Sequence, residues 1–249
     1  MRYFIEIAYN GKNYFGWQRQ PEQISVQQVL EETLSTMLRK EIKIIGAGRT
    51  DTGVHAKQLF AHFDFDSIEN KDEFFFRINS FLPKDISIKN IFEVKDDAHA
   101  RFDAVEREYE YIISFEKDPF SEEFAYQINH KPNVELMNEA AKMLLAHKNF
   151  QCFSRSKTDV KTYNCTIVKA FWEAKNNTLI FTIAADRFLR NMVRAIVGTL
   201  LEVGFGKVSL EKFQKILESK SREEAGASAP AHGLYLTKVA YPKETFLNE

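Results

Sequence analysis

The densest gathering of chemically useful side chains is the run Gly48-Arg49-Thr50-Asp51-Thr52-Gly53-Val54-His55-Ala56. Asp51 is a carboxylate flanked by two basic residues, Arg49 and His55, so it can stay ionised beside a cation. Small residues at Gly46, Ala47, Gly48 and Gly53 let a ligand or another stretch of backbone come close. The loop leaves the end of a predicted strand, a common place for functional side chains. The bland alternative is a tight strand-to-strand turn, where Asp and Gly are frequent. The other alternative is a catalytic role for the carboxylate.

Other groups invite the same two-sided reading. Arg190 and Arg194 interrupt a mostly apolar stretch, Phe188 to Val203. A guanidinium buried in such a helix needs a carboxylate partner, whereas one near the surface extends its head to water. Tyr109 and Tyr111 share one face of a predicted strand by alternation, the ordinary habit of strand tyrosines. Arg49, Arg101, Arg107, Lys157, Arg187 and Arg190 are candidates for phosphate contacts, and each also reads as a solvated surface charge. His55 and His99 lack metal-ligating surroundings, and structural hydrogen bonding is the expectation for both. Cys152 and Cys165 belong to no Cys-x-x-Cys or clustered His/Cys spacing, so neither zinc nor a disulfide framework is expected.

These groups must be carried by regular elements, and the chain is punctuated accordingly. Tyr3 to Tyr9 alternates as a strand and ends at the turn dipeptide Asn10-Gly11. Ser25 with Gln28 forms a capping box ahead of Val26, Val29, Leu30, Leu34, Met37 and Leu38 on one helical face. Ile42 to Ile45 reads as a strand leading into the Asp51 loop, and a strand with Phe60, Phe63 and Phe65 follows it. A helix is predicted over Asp72 to Phe81, stopping before Pro83. Strands are predicted over Ile86 to Val94, Glu108 to Ile113, Cys165 to Glu173, Thr178 to Ala184 and Leu234 to Ala240. Asn133 and Ser209 each cap a further helix. The buried helix Phe188 to Val203 is closed by Gly204 and Gly206. Strands and helices mix without a steady βαβ rhythm, so the fold class is α+β. A boundary near residue 104 divides the chain into an N-terminal α/β half, 1–104, with the Asp51 loop, and a C-terminal α/β half, 105–249.

The 249 residues carry a net charge of −1, so no global basic field advertises a polyanionic partner. Any nucleic-acid surface must come from basic residues gathered on one face. The 22 phenylalanines supply ample aromatic core. No apolar run approaches the roughly 20 residues that span a bilayer, and the N-terminus reads as a strand and not as a secretory leader. The expectation is a reduced, cytoplasmic protein with no membrane association.

The Gly48–Ala56 string resembles the signature of the tRNA pseudouridine synthase A (TruA) family. Further blocks agree in order and spacing. They are Tyr9-Asn10-Gly11 with Phe15-Gly16-Trp17-Gln18-Arg19-Gln20, Phe81-Leu82-Pro83 before His99-Ala100-Arg101-Phe102, and Arg107-Glu108-Tyr109-Glu110-Tyr111. Phe188-Leu189-Arg190-Asn191-Met192-Val193-Arg194 and Ala229-Pro230 with Gly233-Leu234 complete the set. The resemblance spans nearly the whole chain. It implies a pseudouridine synthase fold, two α/β halves with mixed or antiparallel sheets flanking a central cleft. It implies a homodimer acting without cofactor or metal on the tRNA anticodon stem-loop, at the uridines conventionally numbered 38, 39 and 40.

By the same resemblance Asp51 is the catalytic aspartate, Tyr109 the active-site tyrosine and Arg194 the motif arginine. Asp51 is then the expected carboxylate partner of Arg194. In the family Arg49 is associated with the flipped nucleotide; Arg101, Arg107 and Arg190 stand beside it as substrate-binding candidates on their charge alone. The rivals are a non-catalytic RNA-binding protein on the same scaffold, a synthase for other tRNA positions, and a hydrolase using Asp51 as nucleophile. The hydrolase lacks a second acid at a clear spacing.

Overall fold

A computed structural model of the chain describes residues 1–155 and 160–247. Lys157 therefore lies outside the described residues. The chain forms two compact units, Met1–Glu106 with Leu236–Glu249, and Arg107–Tyr235.

The first unit is built on β1 (Arg2–Tyr9), which is flanked on both sides by antiparallel partners. Tyr3, Ile5, Ile7 and Tyr9 form its buried face by alternation, and Phe4 is fully buried on the other, where Glu6 and Ala8 are half-buried. Helix α1 (Val26–Leu38) follows, its N-terminus capped by the Ser25 hydroxyl, which accepts from the Gln28 amide at 3.3 Å. Next come the two-residue strand β2 (Ile45–Gly46) and the long strand β3 (His55–Asp64). The Asp51 loop is the connection between them. Helix α2 (Lys71–Phe81) packs on β4 (Ile86–Val94). The strand order is β4-β1-β3, with β2 also paired to β3.

The predicted strand Ile42–Ile45 is corrected to that short β2. The Ile42 amide donates to the Ser35 hydroxyl and the Ile44 amide to the Glu31 carboxylate, while the Ile44 carbonyl accepts from Gln27. Side chains of α1 thus satisfy the backbone that a ladder would otherwise have used.

The second unit opens with β5 (Glu106–Ser114), whose first residue belongs to the first unit. β6 (Tyr126–Gln127) runs parallel to β5. Helix α3 (Val134–Ala146), capped by Asn133, packs on β7 (Ile167–Lys175). β8 (Thr178–Ala185) pairs antiparallel with both β5 and β7. The parallel β6 makes the pairing in this unit mixed, as the fold-class expectation holds. Helix α4 (Met192–Gly204) and helix α5 (Leu210–Ser219), capped by Ser209, complete the unit.

Helix α4 starts four residues later than Phe188. Asn191 takes a left-handed conformation, φ 65°, which no continuing helix permits. Phe188 and Arg190 therefore sit on a loop before the helix. The helix buries Met192, Ile196, Val197 and Leu200 completely, and truncating Leu200 to Ala would cost about 2–5 kcal/mol. Strand β9 (Leu234–Ala240) returns the chain to the first unit, beside β3. Among the described residues no helix is long and apolar enough to cross a membrane.

Candidate active site

Asp51 stands in a loop whose shape is imposed by its neighbours in the first unit. The Val54 amide donates to the Asp51 carbonyl at 3.1 Å, closing a tight turn that Gly53, φ 77°, allows. The segment Tyr14–Trp17 lies against this turn. The Trp17 amide donates to the Thr50 carbonyl at 3.2 Å, and the Gly53 amide to the Tyr14 carbonyl at 3.4 Å. Gly16, φ 80°, is required at the crossing, because a Cβ there would stand 2.4 Å from the Thr50 carbonyl oxygen. The Thr50 hydroxyl shares a buried hydrogen bond of 2.8 Å with the Tyr9 hydroxyl. At the far end the His55 Nδ1 accepts from the Gly11 amide at 3.1 Å, the structural role expected for that histidine. Asp51 as a residue is half-buried.

Arg49 and Arg101, distant in sequence, line one pocket of about 150 Å³ together with Trp17, Gln18, Gly46 and Gly48. Both arginines are exposed. A Cβ on Gly48 would meet nothing within 4 Å, so this glycine serves openness and not close packing. Arg101 follows a loop shaped by two imidazoles. His62 Nδ1 accepts from the Ala100 amide at 3.1 Å and His99 Nδ1 from the Arg101 amide at 3.1 Å. His62 is buried, and burial chiefly, aided by the Arg2 and His99 charges, pushes its pKa down to about 4. Behind the pocket, buried Glu31 holds Arg19 at 3.2 Å, and Gln27 accepts from the Arg19 amide and from the Gln18 carboxamide.

In the second unit Arg107 and Tyr109 stand two residues apart on β5, opposite Ala185 and Ile183 of β8. Arg107 donates to the Asp186 carbonyl at 2.8 Å. The Tyr109 ring meets the Phe188 ring edge-on, centroids 5.2 Å apart, so the loop before α4 supports the tyrosine. Arg187 on that loop donates to the Thr162 carbonyl, and Arg190 is exposed. Tyr109 is half-buried and Tyr111 is fully buried. The Tyr111 hydroxyl donates to the Pro230 carbonyl at 2.8 Å, and burial drives its pKa well above the usual tyrosine value. The two tyrosines therefore part company: Tyr111 is a strut, and Tyr109 is the one with accessible surface.

Arg194 projects from α4 against the strap 225–230. Its Nε donates to the Ala229 carbonyl at 2.7 Å, and the Ala229 amide returns a bond of 2.9 Å to the Arg194 carbonyl. The strap lies tight on the helix, since a Cβ on Gly198 would fall 1.8 Å from the Ala227 carbonyl oxygen. Thr199 accepts from the Gly226 amide, and the Ser228 hydroxyl is bonded by Asn191 at 2.6 Å and by Arg222 at 2.9 Å. The Arg194 charge also lowers the pKa of His232, after burial as the larger cause. The sequence gives no separate role to Arg222, Ser228, Thr50 or Tyr9, although Thr50 and Tyr9 lie in blocks that carry the resemblance. Thr50, Tyr9 and Ser228 depend on partners remote in the chain, and Arg222 on a strap that folds back on it.

Comparison with known proteins gives this arrangement a family. The model of a family described as tRNA pseudouridine synthase matches residues 6–103 and 140–242. A tRNA pseudouridine synthase A of Bacteroides fragilis is 51% identical over 247 residues, covering 98% of this chain and 98% of that relative. A protein of the same name from Parabacteroides distasonis is 49% identical over 246 residues, again covering 98% of each. The one from Bacillus subtilis is 40% identical over 246 residues, covering 97% of this chain and 99% of the relative.

Proposed function

The chain belongs to the tRNA pseudouridine synthase family, and from that premise we infer that it isomerises uridine to pseudouridine in tRNA with Asp51 as the catalytic carboxylate. The observation that carries the assignment is the Asp51 loop. It holds a half-buried aspartate on a turn braced from both sides, within the family-like Gly48–Ala56 string.

The reaction breaks the N1–C1′ glycosidic bond, turns the uracil, and rejoins it through C5. The C5 proton is lost and N1 gains one, so the product is an isomer. Positive charge develops at C1′ as the bond breaks, and an ionised carboxylate stabilises it. Two routes reach the product. Asp51 attacks C1′ and is later displaced by C5, or it removes the C2′ proton to give a glycal that is reprotonated on rejoining. A primary isotope effect from deuterium at C2′ belongs to the second route alone. In either route the Tyr109 ring stacks on the uracil, and its hydroxyl relays the C5 proton, passing its own proton to solvent as it accepts that one. Arg194 serves the same turnover, its guanidinium oriented by the Ala229 carbonyl.

A base inside an A-form stem is out of reach of these groups, so the target uridine is extruded. Arg49 contacts the extruded nucleotide, and Arg101, Arg107 and Arg190 contact the RNA backbone. The proposed targets are positions 38, 39 and 40 of the anticodon stem-loop, where a neighbouring loop makes extrusion cheapest. A homodimer working in the cytoplasm completes the reading, one protomer holding the tRNA body while its partner does the chemistry.

The test is incubation of unmodified tRNA transcript with the protein, followed by mapping of pseudouridine. Product at positions 38–40 with wild-type protein and none with Asp51→Asn, which still binds tRNA, is the expected result. Tight binding without product assigns an RNA-binding role instead, and product elsewhere in the tRNA overturns the choice of target.

A further inference from the structure

We infer that Tyr9 is a positioning residue for catalysis, acting through the Thr50 hydroxyl to set the direction of the Asp51 carboxylate. The inference rests on the reading of Asp51 as the catalytic group.

Tyr9 is the last residue of β1, and it pairs with Ala56 after a register shift in the β1–β3 ladder. Ala56 is just beyond the Asp51 turn, whereas Thr50 is just before it. The Tyr9 ring therefore reaches from the strand on one side of the turn to the residue on the other. Its hydroxyl meets the Thr50 hydroxyl at 2.8 Å, with Tyr9 4% and Thr50 8% exposed. The Tyr9 ring also lies beside Trp17, centroids 6.4 Å apart, and the Trp17 amide holds the Thr50 carbonyl at 3.2 Å.

Thr50 is consequently held at two points, its carbonyl and its hydroxyl, and its C-terminal neighbour is Asp51. Fixing the residue before a turn fixes the peptide plane from which the next side chain departs. A β-branched residue strengthens the effect, because its χ1 has few wells and its hydroxyl cannot swing without cost. Two hydroxyls bonded in an apolar, nearly dry setting are also poorly replaced by water. Loss of either hydroxyl removes this bond and lets the turn rock.

The expected signature is a loss of rate without a loss of binding. Tyr9→Phe removes one oxygen and keeps the ring. Its kcat for pseudouridine formation should fall roughly 10- to 100-fold, the scale of a displacement near 1 Å, with KM for tRNA unchanged. Thr50→Val should behave alike, Thr50→Ser should recover most of the rate, and the double variant should be no slower than the slower single one. Thermal melting and titration of active protein accompany each measurement, so that kcat is expressed per folded molecule.

If the loss is only in folded fraction, with kcat per folded molecule unchanged, the hydroxyl pair is structural and the inference is overturned. Should Thr50→Val fail to fold, Tyr9→Phe with Thr50→Ser decides alone. Asp51→Asn is assayed alongside. If it turns over at the wild-type rate, the Asp51 assignment falls and takes the inference with it. If it is inactive while Tyr9→Phe keeps the wild-type kcat, the inference alone falls.

Discussion

The Arg194 side chain and Ala229 hold each other by two reciprocal bonds, Nε to carbonyl at 2.7 Å and amide to carbonyl at 2.9 Å. A lysine keeps the charge but has no donor at the Nε position and no planar fork. Arg194→Lys should therefore bind tRNA almost normally while turning over at least about tenfold more slowly, a barrier raised by about 1.4 kcal/mol. Arg194→Ala should lose more activity and also melt a few degrees lower, since one hydrogen bond contributes about 0.5–1.5 kcal/mol. Steady-state kinetics beside calorimetry check both. An alanine variant with full activity and unchanged melting would remove Arg194 from the site.

Tyr109 and Tyr111 should separate cleanly under the same mild change. Tyr109→Phe keeps the ring against Phe188 and loses only the hydroxyl, so turnover should fall roughly 10²-fold or more if that hydroxyl moves the C5 proton. Its melting temperature should fall less than that of Tyr111→Phe. Tyr111→Phe strands the Pro230 carbonyl and should cost about 1–3 kcal/mol of stability with kcat per folded molecule nearly intact. Reversal of the two patterns would exchange their roles.

The pocket shared by Arg49 and Arg101 predicts a common electrostatic behaviour. If each neutralises a phosphate, replacing either by Ala should weaken tRNA binding and flatten the plot of log affinity against log salt by about 0.7–0.9 per contact. Filter binding over a salt series provides the slopes. An unchanged slope for one arginine would show that it meets the nucleotide other than through a phosphate, or lies outside the RNA path.

His62 makes stability depend on pH with a definite sign. Its folded pKa lies near 4, below the ordinary 6.5, because burial disfavours the imidazolium and the Arg2 and His99 charges oppose it, while Asp64 and Asp103 pull weakly the other way. Between those two values the unfolded chain binds more protons than the folded one, so stability falls as pH falls. The contribution is fully present above pH 6.5 and is lost as pH drops toward 4. His62→Asn keeps an acceptor for the Ala100 amide without a titrating group. Its melting curve should therefore be flatter over that window, as thermal melts at a series of pH values will show.

Much of this protein is written locally. The hydroxyl and amide caps at Ser25, Asn133 and Ser209 each bond an amide three residues on, so their helices are legible from a few neighbouring letters. The alternation of Tyr3–Tyr9 marks β1 because the strand period is two, and the run around Asp51 is marked by residue type as a candidate loop, with a tight turn as the rival reading. What the sequence by itself could not determine is every relationship that requires the chain to close on itself. Ile42–Ile44 has the composition of a strand, yet its backbone bonds are taken by Glu31, Gln27 and Ser35 of a helix. Tyr109 and Tyr111 are identical in type and share a face by alternation, and only the strap at Pro230 makes one of them a strut. Arg49 and Arg101 become neighbours in one pocket, and Tyr9 reaches Thr50, through pairings between remote segments. Those pairings are chosen by packing and by hydrogen-bond satisfaction over the whole unit. No window of neighbouring residues contains that information.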